Sequence, residues 1–192
     1  MTAETYKTQE ELGQYVRLHF AVQDVPEQTV VSGMLTLKVL RAVLLRVMLL
    51  LRDDPVCCFT QLTDITCVHY PDEQDCFVLV YHLLSPVMKR RICVKVVTQE
   101  DVPVSSVTSV FANASWYERE IREMFGVSFE GHPDLRRLLT GDERVFFPLR
   151  KTYPAEGKVK LVYDEENKRF VYIPRVQEQN GAISRRLDQD TK

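Results

Sequence analysis

Three apolar stretches in the middle of the chain constrain its fold more than any other feature of the sequence. They run from Ile65 to Tyr70, from Phe77 to Leu84 and from Arg91 to Val97, and they are rich in β-branched residues. Short segments with turn-forming residues separate them, at positions 71–75 and at Ser85-Pro86. Because parallel neighbours need a crossover of about a dozen residues or more, these connections predict an antiparallel meander of three strands.

Two helices and one short strand are predicted before the meander. Thr8 and Glu11 have the spacing of a capping box, which predicts a helix that begins after Thr8. Residues Met34 to Val39 alternate between apolar and polar side chains, which predicts a short strand. A second helix is predicted from Leu40 to Leu51, since strong helix formers fill this stretch and a proline follows shortly after it.

A third helix is predicted after the meander, from Asn113 to Phe125. Ser115 and Glu118 have the spacing of another capping box, and Gly126 stands where a C-terminal glycine cap belongs. An apolar stripe on this helix indicates that one of its faces is buried. The helix therefore covers one side of the predicted sheet.

The chain changes character after Gly126. Residues 127–158 contain several prolines and glycines and show little periodicity, which predicts a long irregular loop. The stretches Lys158–Tyr163 and Arg169–Ile173 predict a final hairpin, and the residues from 177 onward are almost all polar. The predicted fold class is α+β: an antiparallel or mixed sheet covered by helices, followed by a long irregular loop and an extended C-terminal tail.

The same observations predict three segments along the chain. We expect an α+β domain at residues 1–126, an extended interaction segment with a possible hairpin at residues 127–174, and a flexible polar tail at residues 175–192.

Composition and motifs argue against several classes of function. The net charge is -2, whereas nucleic acid as a main partner requires a concentrated basic surface. No glycine-rich phosphate loop is present, and the histidines lack the spacing of metal ligands. The longest apolar run, Val39–Leu51, contains two arginines and is shorter than the ~20 residues of a membrane span, so no transmembrane segment is expected.

The cysteines are expected to be reduced thiols packed as small apolar residues. None of the five forms a CxxC pair, so neither an iron–sulfur cluster nor a zinc site is predicted. They are Cys57, Cys58, Cys67, Cys76 and Cys93.

Charge is segregated after the third helix. Residues 131–151 carry five basic and three acidic side chains, with Arg136-Arg137 and Arg150-Lys151 as adjacent pairs. Loops of this kind suit protein interfaces, because a guanidinium group pairs bidentately with a carboxylate. A solvated loop has the same composition, and the composition alone leaves both interpretations open.

The third helix carries further carboxylates. Glu118 and Glu120 are two residues apart and do not face each other, which argues against an acid/base pair. Glu118 and Arg122 are four apart in the orientation that favours a surface ion pair, and this is the interaction that the helix alone predicts.

This region closely resembles the signature of a known family. Trp116–Gly126 reads WYEREIREMFG and Phe129–Leu139 reads FEGHPDLRRLL, as in the C-type hydrophilic subunit of complex I, the respiratory NADH:quinone oxidoreductase. The resemblance extends from Leu51 to Pro174. Glu123 replaces the usual Asp of the family, while Phe146-Phe147 and Thr152 stand where it usually has Gly-His and Asp, so the chain resembles a divergent member.

The resemblance implies a chain without catalytic residues, flavin, iron–sulfur cluster, quinone or metal. The chain would be a scaffold that packs against the peripheral-arm subunits carrying the iron–sulfur clusters and the quinone site, and that supports electron transfer from NADH to quinone. The implied location is the matrix side of the mitochondrial inner membrane or, alternatively, the cytoplasmic face of a bacterial inner membrane. The implied interface residues are Trp116, Glu118, Arg119, Glu120, His132, Pro133, Asp134, Arg136, Arg137, Pro148, Arg150 and Lys151.

Two alternatives stay open. The equivalent subunit of a related membrane-bound hydrogenase resembles the same family. A free-standing enzyme or anion-binding domain would instead use His132 and the arginine pairs to bind an anionic ligand.

Overall fold

The computed structural model describes residues 8–73, 76–140, 146–154, 157 and 159–174. The chain divides into two units, Met1–Tyr153 and Pro154–Lys192, each of which is considered by itself. The described part of residues 127–153 belongs to the first unit, while the three-segment division stays a prediction. The proposed tail at 175–192 lies outside the described residues.

A five-stranded mixed sheet forms the centre of the first unit. Its strands are β1 (Glu27–Val31), β2 (Met34–Lys38), β3 (Gln61–His69), β4 (Phe77–Ser85) and β5 (Arg90–Thr98), in the order β1-β2-β5-β4-β3. The predicted antiparallel meander of β3, β4 and β5 is confirmed, and within this sheet the described pairing of β2 with β5 is the parallel one. The sequence did not indicate β1, because this edge strand is largely exposed and shows no alternation.

Helices cover one face of the sheet, which confirms the predicted fold class. Helix α1 (Gln9–Leu18) begins with the predicted capping box of Thr8 and Glu11. The second helix differs from its prediction: residues 41–43 form a 3₁₀ turn, and α2 spans Leu44–Asp53. Leu40 remains extended because its N–H donates to the carbonyl of Asp24, so the helix begins later than the sequence suggests.

The core lies between these helices and one face of the sheet. Every second residue of β4 is almost fully buried, as Leu79 and Leu83 illustrate. Burial of each such leucine contributes on the order of 1.5–3 kcal/mol. Three of the cysteines are buried as predicted, Cys57 and Cys67 in this core and Cys93 outside it, whereas Cys58 and Cys76 are only half-buried. Burial raises the pKa of both Cys57 and Cys67 to about 12.

Helix α3 (Ala114–Phe125) is attached to the start of β3. The Asn113 amide donates to the Leu62 carbonyl at 2.9 Å, and the Tyr117 hydroxyl donates to the Thr63 carbonyl at 3.1 Å. The predicted capping box of Ser115 and Glu118 is wrong, because the N-cap is Asn113 and Ser115 lies within the first turn. The predicted glycine cap is confirmed, since Gly126 has a φ of 82° and its N–H closes the last turn.

Two smaller sheets complete the described structure. Strands β6 (Val104–Ser105) and β7 (Phe129–Glu130) pair in parallel, and in the sequence β6 precedes α3 while β7 follows it. The second unit contains the predicted hairpin, formed by β8 (Val159–Asp164) and β9 (Arg169–Pro174).

Candidate functional site

The candidate site is the surface built by α3, the segment 131–140 and the segment 146–153. Among the described residues, no group of three His, Cys, Asp or Glu side chains is arranged to hold a metal ion. No helix of the described part of the chain is long and apolar enough to cross a membrane.

Glu118 lies inside the fold, which corrects the expectation of a surface ion pair with Arg122. Its side chain is fully buried, and its carboxylate accepts from Ser106 Oγ at 2.6 Å and from the Val107 N–H at 2.7 Å. Burial raises the pKa of Glu118 to about 7, although these two hydrogen bonds act in the opposite direction. Glu118 therefore fastens α3 to the segment after β6.

His132 connects the next segment to the start of α3. Its Nδ1 accepts the Asp134 N–H at 3.0 Å, so the ring hydrogen is on Nε2 and is donated to the Ser115 carbonyl at 3.1 Å. The imidazole is fully buried, and its Nε2 lies 4.0 Å from the Glu118 carboxylate. Both ring nitrogens thus bind the chain itself, which leaves no ring nitrogen for the anionic ligand that the free-standing alternative requires.

Glu123 holds the segment 138–140 in place. Its carboxylate accepts the N–H groups of Leu138 at 2.7 Å, Leu139 at 2.9 Å and Thr140 at 2.6 Å, together with the Thr140 hydroxyl. Burial alone would raise the pKa of Glu123, but the four hydrogen bonds outweigh it and lower the pKa to about 2. The sequence did not identify this role, because the partners lie about fifteen residues away in an irregular loop.

Arg119 and Asp134 hold the segment between His132 and the residues 138–140 that Glu123 binds. Arg119 donates from Nε to the Arg136 carbonyl at 2.9 Å and from Nη2 to the Arg137 carbonyl at 3.0 Å. Asp134 accepts three bonds from the Arg136 guanidinium and one from the Arg136 N–H, and this contact holds the pKa of Asp134 well below its usual range. The Arg136 side chain is otherwise exposed, at 83%.

The second loop packs against the end of α3. Arg150 donates to the Phe125 carbonyl at 2.6 Å, forms an ion pair with Glu100 and lies over the Phe147 ring at 4.3 Å. A side chain at position 126 would meet Arg150 and Phe147 at 2.6 Å, so glycine is required there for space as well as for its positive φ. Phe147 contacts Arg150 and Phe146 stacks on Tyr153, so the two phenylalanines that differ from the pattern of the resembled family both supply contacts of this loop.

Lys151 attaches the loop to the sheet through its backbone. Its N–H donates to His69 Nδ1 at 3.0 Å, and the His69 ring is stacked on Phe77. Burial and the neighbouring Arg150 lower the pKa of His69. His69 is thus a structural histidine.

The predicted interface residues fall into two groups. The side chains of one group bind within the fold: Glu118, Arg119, His132, Asp134, Arg137 and Arg150. The other group lies on the surface, with Pro148 half-buried and the rest exposed: Trp116, Glu120, Pro133, Arg136, Pro148 and Lys151. Two exposed leucines that the sequence did not indicate, Leu139 and Leu149, lie on the same loops.

Comparison with known proteins identifies similar chains over most of the sequence. Residues 37–159 match the family described as "Respiratory-chain NADH dehydrogenase, 30 Kd subunit". The C-type NADH-quinone oxidoreductase subunit of Caulobacter vibrioides is 49% identical over 146 residues, which cover 76% of this chain and 74% of the relative. The corresponding protein of Brucella abortus is 47% identical over 164 residues, covering 85% and 81%.

A solved structure has the same fold. A chain of the membrane-bound sulfane sulfur reductase, an archaeal respiratory membrane complex, superposes with a TM-score of 0.62 and 25% identity. The match covers 84% of this chain and 98% of the archaeal one.

Proposed function

The chain belongs to the family of the 30 Kd subunit of the respiratory-chain NADH dehydrogenase, and from this premise we propose that it acts as a structural and assembly subunit. It is a subunit of the hydrophilic arm of NADH:quinone oxidoreductase, and the electrons pass from NADH to quinone through other subunits. Its own polar groups orient the backbone of a contact surface.

The internal bonding of the site supports this role. The polar side-chain atoms of Glu118, Glu123 and His132 form hydrogen bonds with backbone and hydroxyl groups of the same chain. His132 and Glu123 tie the segment 131–140 to α3, while Arg150 and the Lys151 N–H tie the segment 146–153 to α3 and β3. Restraints of this kind lower the entropy cost of association. The observation that carries the proposal is that this fixed surface exposes Trp116, at 61%.

The partners on this surface are other peripheral-arm subunits, including those that hold the iron–sulfur clusters and the quinone site. The matrix side of the mitochondrial inner membrane is the location that the resemblance implies. The bacterial origin of the relatives supports the cytoplasmic face of a bacterial membrane as well.

A second candidate is the equivalent subunit of a different membrane complex. The archaeal sulfur reductase favours it, since a chain of that complex has this fold. The higher identity to the NADH-quinone oxidoreductase subunits favours the first candidate.

The experiment compares Trp116→Ala with Leu18→Ala. Both side chains are largely exposed, so neither change should lower the free energy of unfolding of the isolated full chain by more than about 0.5 kcal/mol. Loss of a buried aromatic contact at an interface costs about 2 kcal/mol or more of association. Trp116→Ala should therefore reduce the amount of assembled complex on native gels, while Leu18→Ala should not.

A measurement of NADH:quinone activity distinguishes a structural role of this chain from a catalytic one. We expect Trp116→Ala to lower activity in proportion to the assembled fraction. Full assembly with a lower turnover per complex would contradict the structural role.

A further inference from the structure

A cationic cleft opens beside α3. It has a volume of about 240 Å³, and its lining combines three guanidinium groups and one carboxylate with two apolar side chains and a glycine. The lining residues are Arg119, Arg122, Glu123, Gly126, Leu135, Arg137 and Phe147. Among the described residues that line the cleft, guanidinium groups outnumber carboxylates by three to one.

The carboxylate that lines the cleft, Glu123, already accepts hydrogen bonds from the same chain. Each oxygen of Glu123 accepts two donors from the segment 138–140, so it has little capacity left for the arginines. Arg119 donates to two backbone carbonyls, which carry no net charge. Arg122 donates one bond, to Ser128 Oγ at 3.2 Å, and among the described residues no carboxylate forms an ion pair with it.

We propose that this cleft binds the carboxylate side chain of an acidic segment in a neighbouring subunit. The inference rests on the proposed function, because it names the chemistry of the partner at that surface. A guanidinium fork binds a carboxylate bidentately, and Arg122 supplies donors that the described part of the chain does not use.

The surroundings of the cleft fit a protein carboxylate. Leu135 and Phe147 give the cleft an apolar part, and its volume is below the roughly 300–1,000 Å³ of pockets that enclose small-molecule ligands. Three exposed apolar residues lie next to it. Trp116 contacts Arg119, while Leu139 and Leu149 are bound through their N–H groups to Glu123 and Met124. Aromatic and aliphatic side chains around arginines are typical of the centres of protein interfaces.

Arg122→Lys allows the contact to be captured chemically. The substitution keeps the positive charge and introduces an amine, which a carbodiimide joins directly to a carboxylate in contact with it. The assembled complex of the variant is treated with the carbodiimide, digested and analysed by mass spectrometry. The native complex is the blank, since a guanidinium does not couple. Arg91→Lys reports chance coupling at an exposed position that does not line the cleft.

The expected result is a cross-link from position 122 to an Asp or Glu of another subunit. An Arg122→Lys complex that assembles normally but shows no such link, or a link only within this chain, would overturn the inference and leave the proposed function intact. Absence of the native chain from any large assembly would instead refute the proposed function.

Arg122→Gln provides an independent measurement. Removing one partner of a buried charge pair should weaken association at least about thirtyfold, while the thermal melting of the isolated full chain stays the same. Arg91→Gln should change neither quantity. Unchanged assembly of Arg122→Gln would overturn the proposal.

Discussion

Replacement of Glu123 by Gln tests the idea that a buried carboxylate holds the contact loop. Glu123 is 5% exposed and accepts four hydrogen bonds. Its pKa is lowered from 4.5 to about 2, which corresponds to about 3 kcal/mol of stability at neutral pH. In Glu123→Gln, an amide NH₂ faces backbone donors, so we expect a loss of about 2–4 kcal/mol at pH 7.

The pH dependence gives the sharper test. A folded pKa below the unfolded value stabilises the protein above the unfolded pKa, and this contribution disappears as the pH falls through the folded pKa. The difference in free energy of unfolding between the native chain and Glu123→Gln should therefore be fully present above about pH 5 and shrink towards pH 2.

Urea unfolding of the isolated full chain at several pH values measures this difference. Glu120→Gln is the matched control, since Glu120 is exposed on the same helix and its loss should change stability by less than about 0.5 kcal/mol. A Glu123→Gln effect that is no larger than the control, or that stays constant between pH 6 and pH 2, would refute the reasoning.

Three further predictions concern Glu118, Arg136 and Cys57. Glu118 has a raised pKa of about 7, so its contribution to stability is present below pH 4.5 and lost as the pH rises through 7. Glu118→Gln should consequently gain stability relative to the native chain between pH 5 and pH 8 in urea unfolding, and a constant difference would contradict this. Arg136→Glu places like charges beside Asp134 on an exposed loop, so the chain should fold but assemble poorly on native gels; normal assembly would argue against this loop as an interface. Cys57→Ser should cost about 1–3 kcal/mol of stability and leave the turnover per assembled complex unchanged, because Cys57 is a buried thiol.

Local patterns made much of the fold predictable. The meander of β3, β4 and β5 follows from apolar strands joined by short turns, and Thr8 with Glu11 marks the start of α1. These features depend on neighbours in the sequence. Strand β1 was missed because an exposed edge strand carries no burial pattern.

The candidate site was harder to predict from the sequence than the fold, because its contacts join residues that are distant in sequence. The spacing of Glu118 and Arg122 suggested a surface pair, yet Glu118 shares the buried face of α3 with Ile121 and Phe125. That face was visible in the helical periodicity, but its partner Ser106 was not. The cleft around Arg122 likewise depends on segments that only the tertiary fold brings together.

The composition of the native assembly tests the central claim most directly. Membranes that contain the tagged chain would be solubilised in mild detergent and resolved on a native gel stained for NADH oxidation. We expect the chain to migrate with the NADH:quinone oxidoreductase and to co-purify with subunits that hold its iron–sulfur clusters. Migration of the chain alone at 22.3 kDa, with NADH:quinone activity unchanged when the chain is deleted, would contradict the structural role.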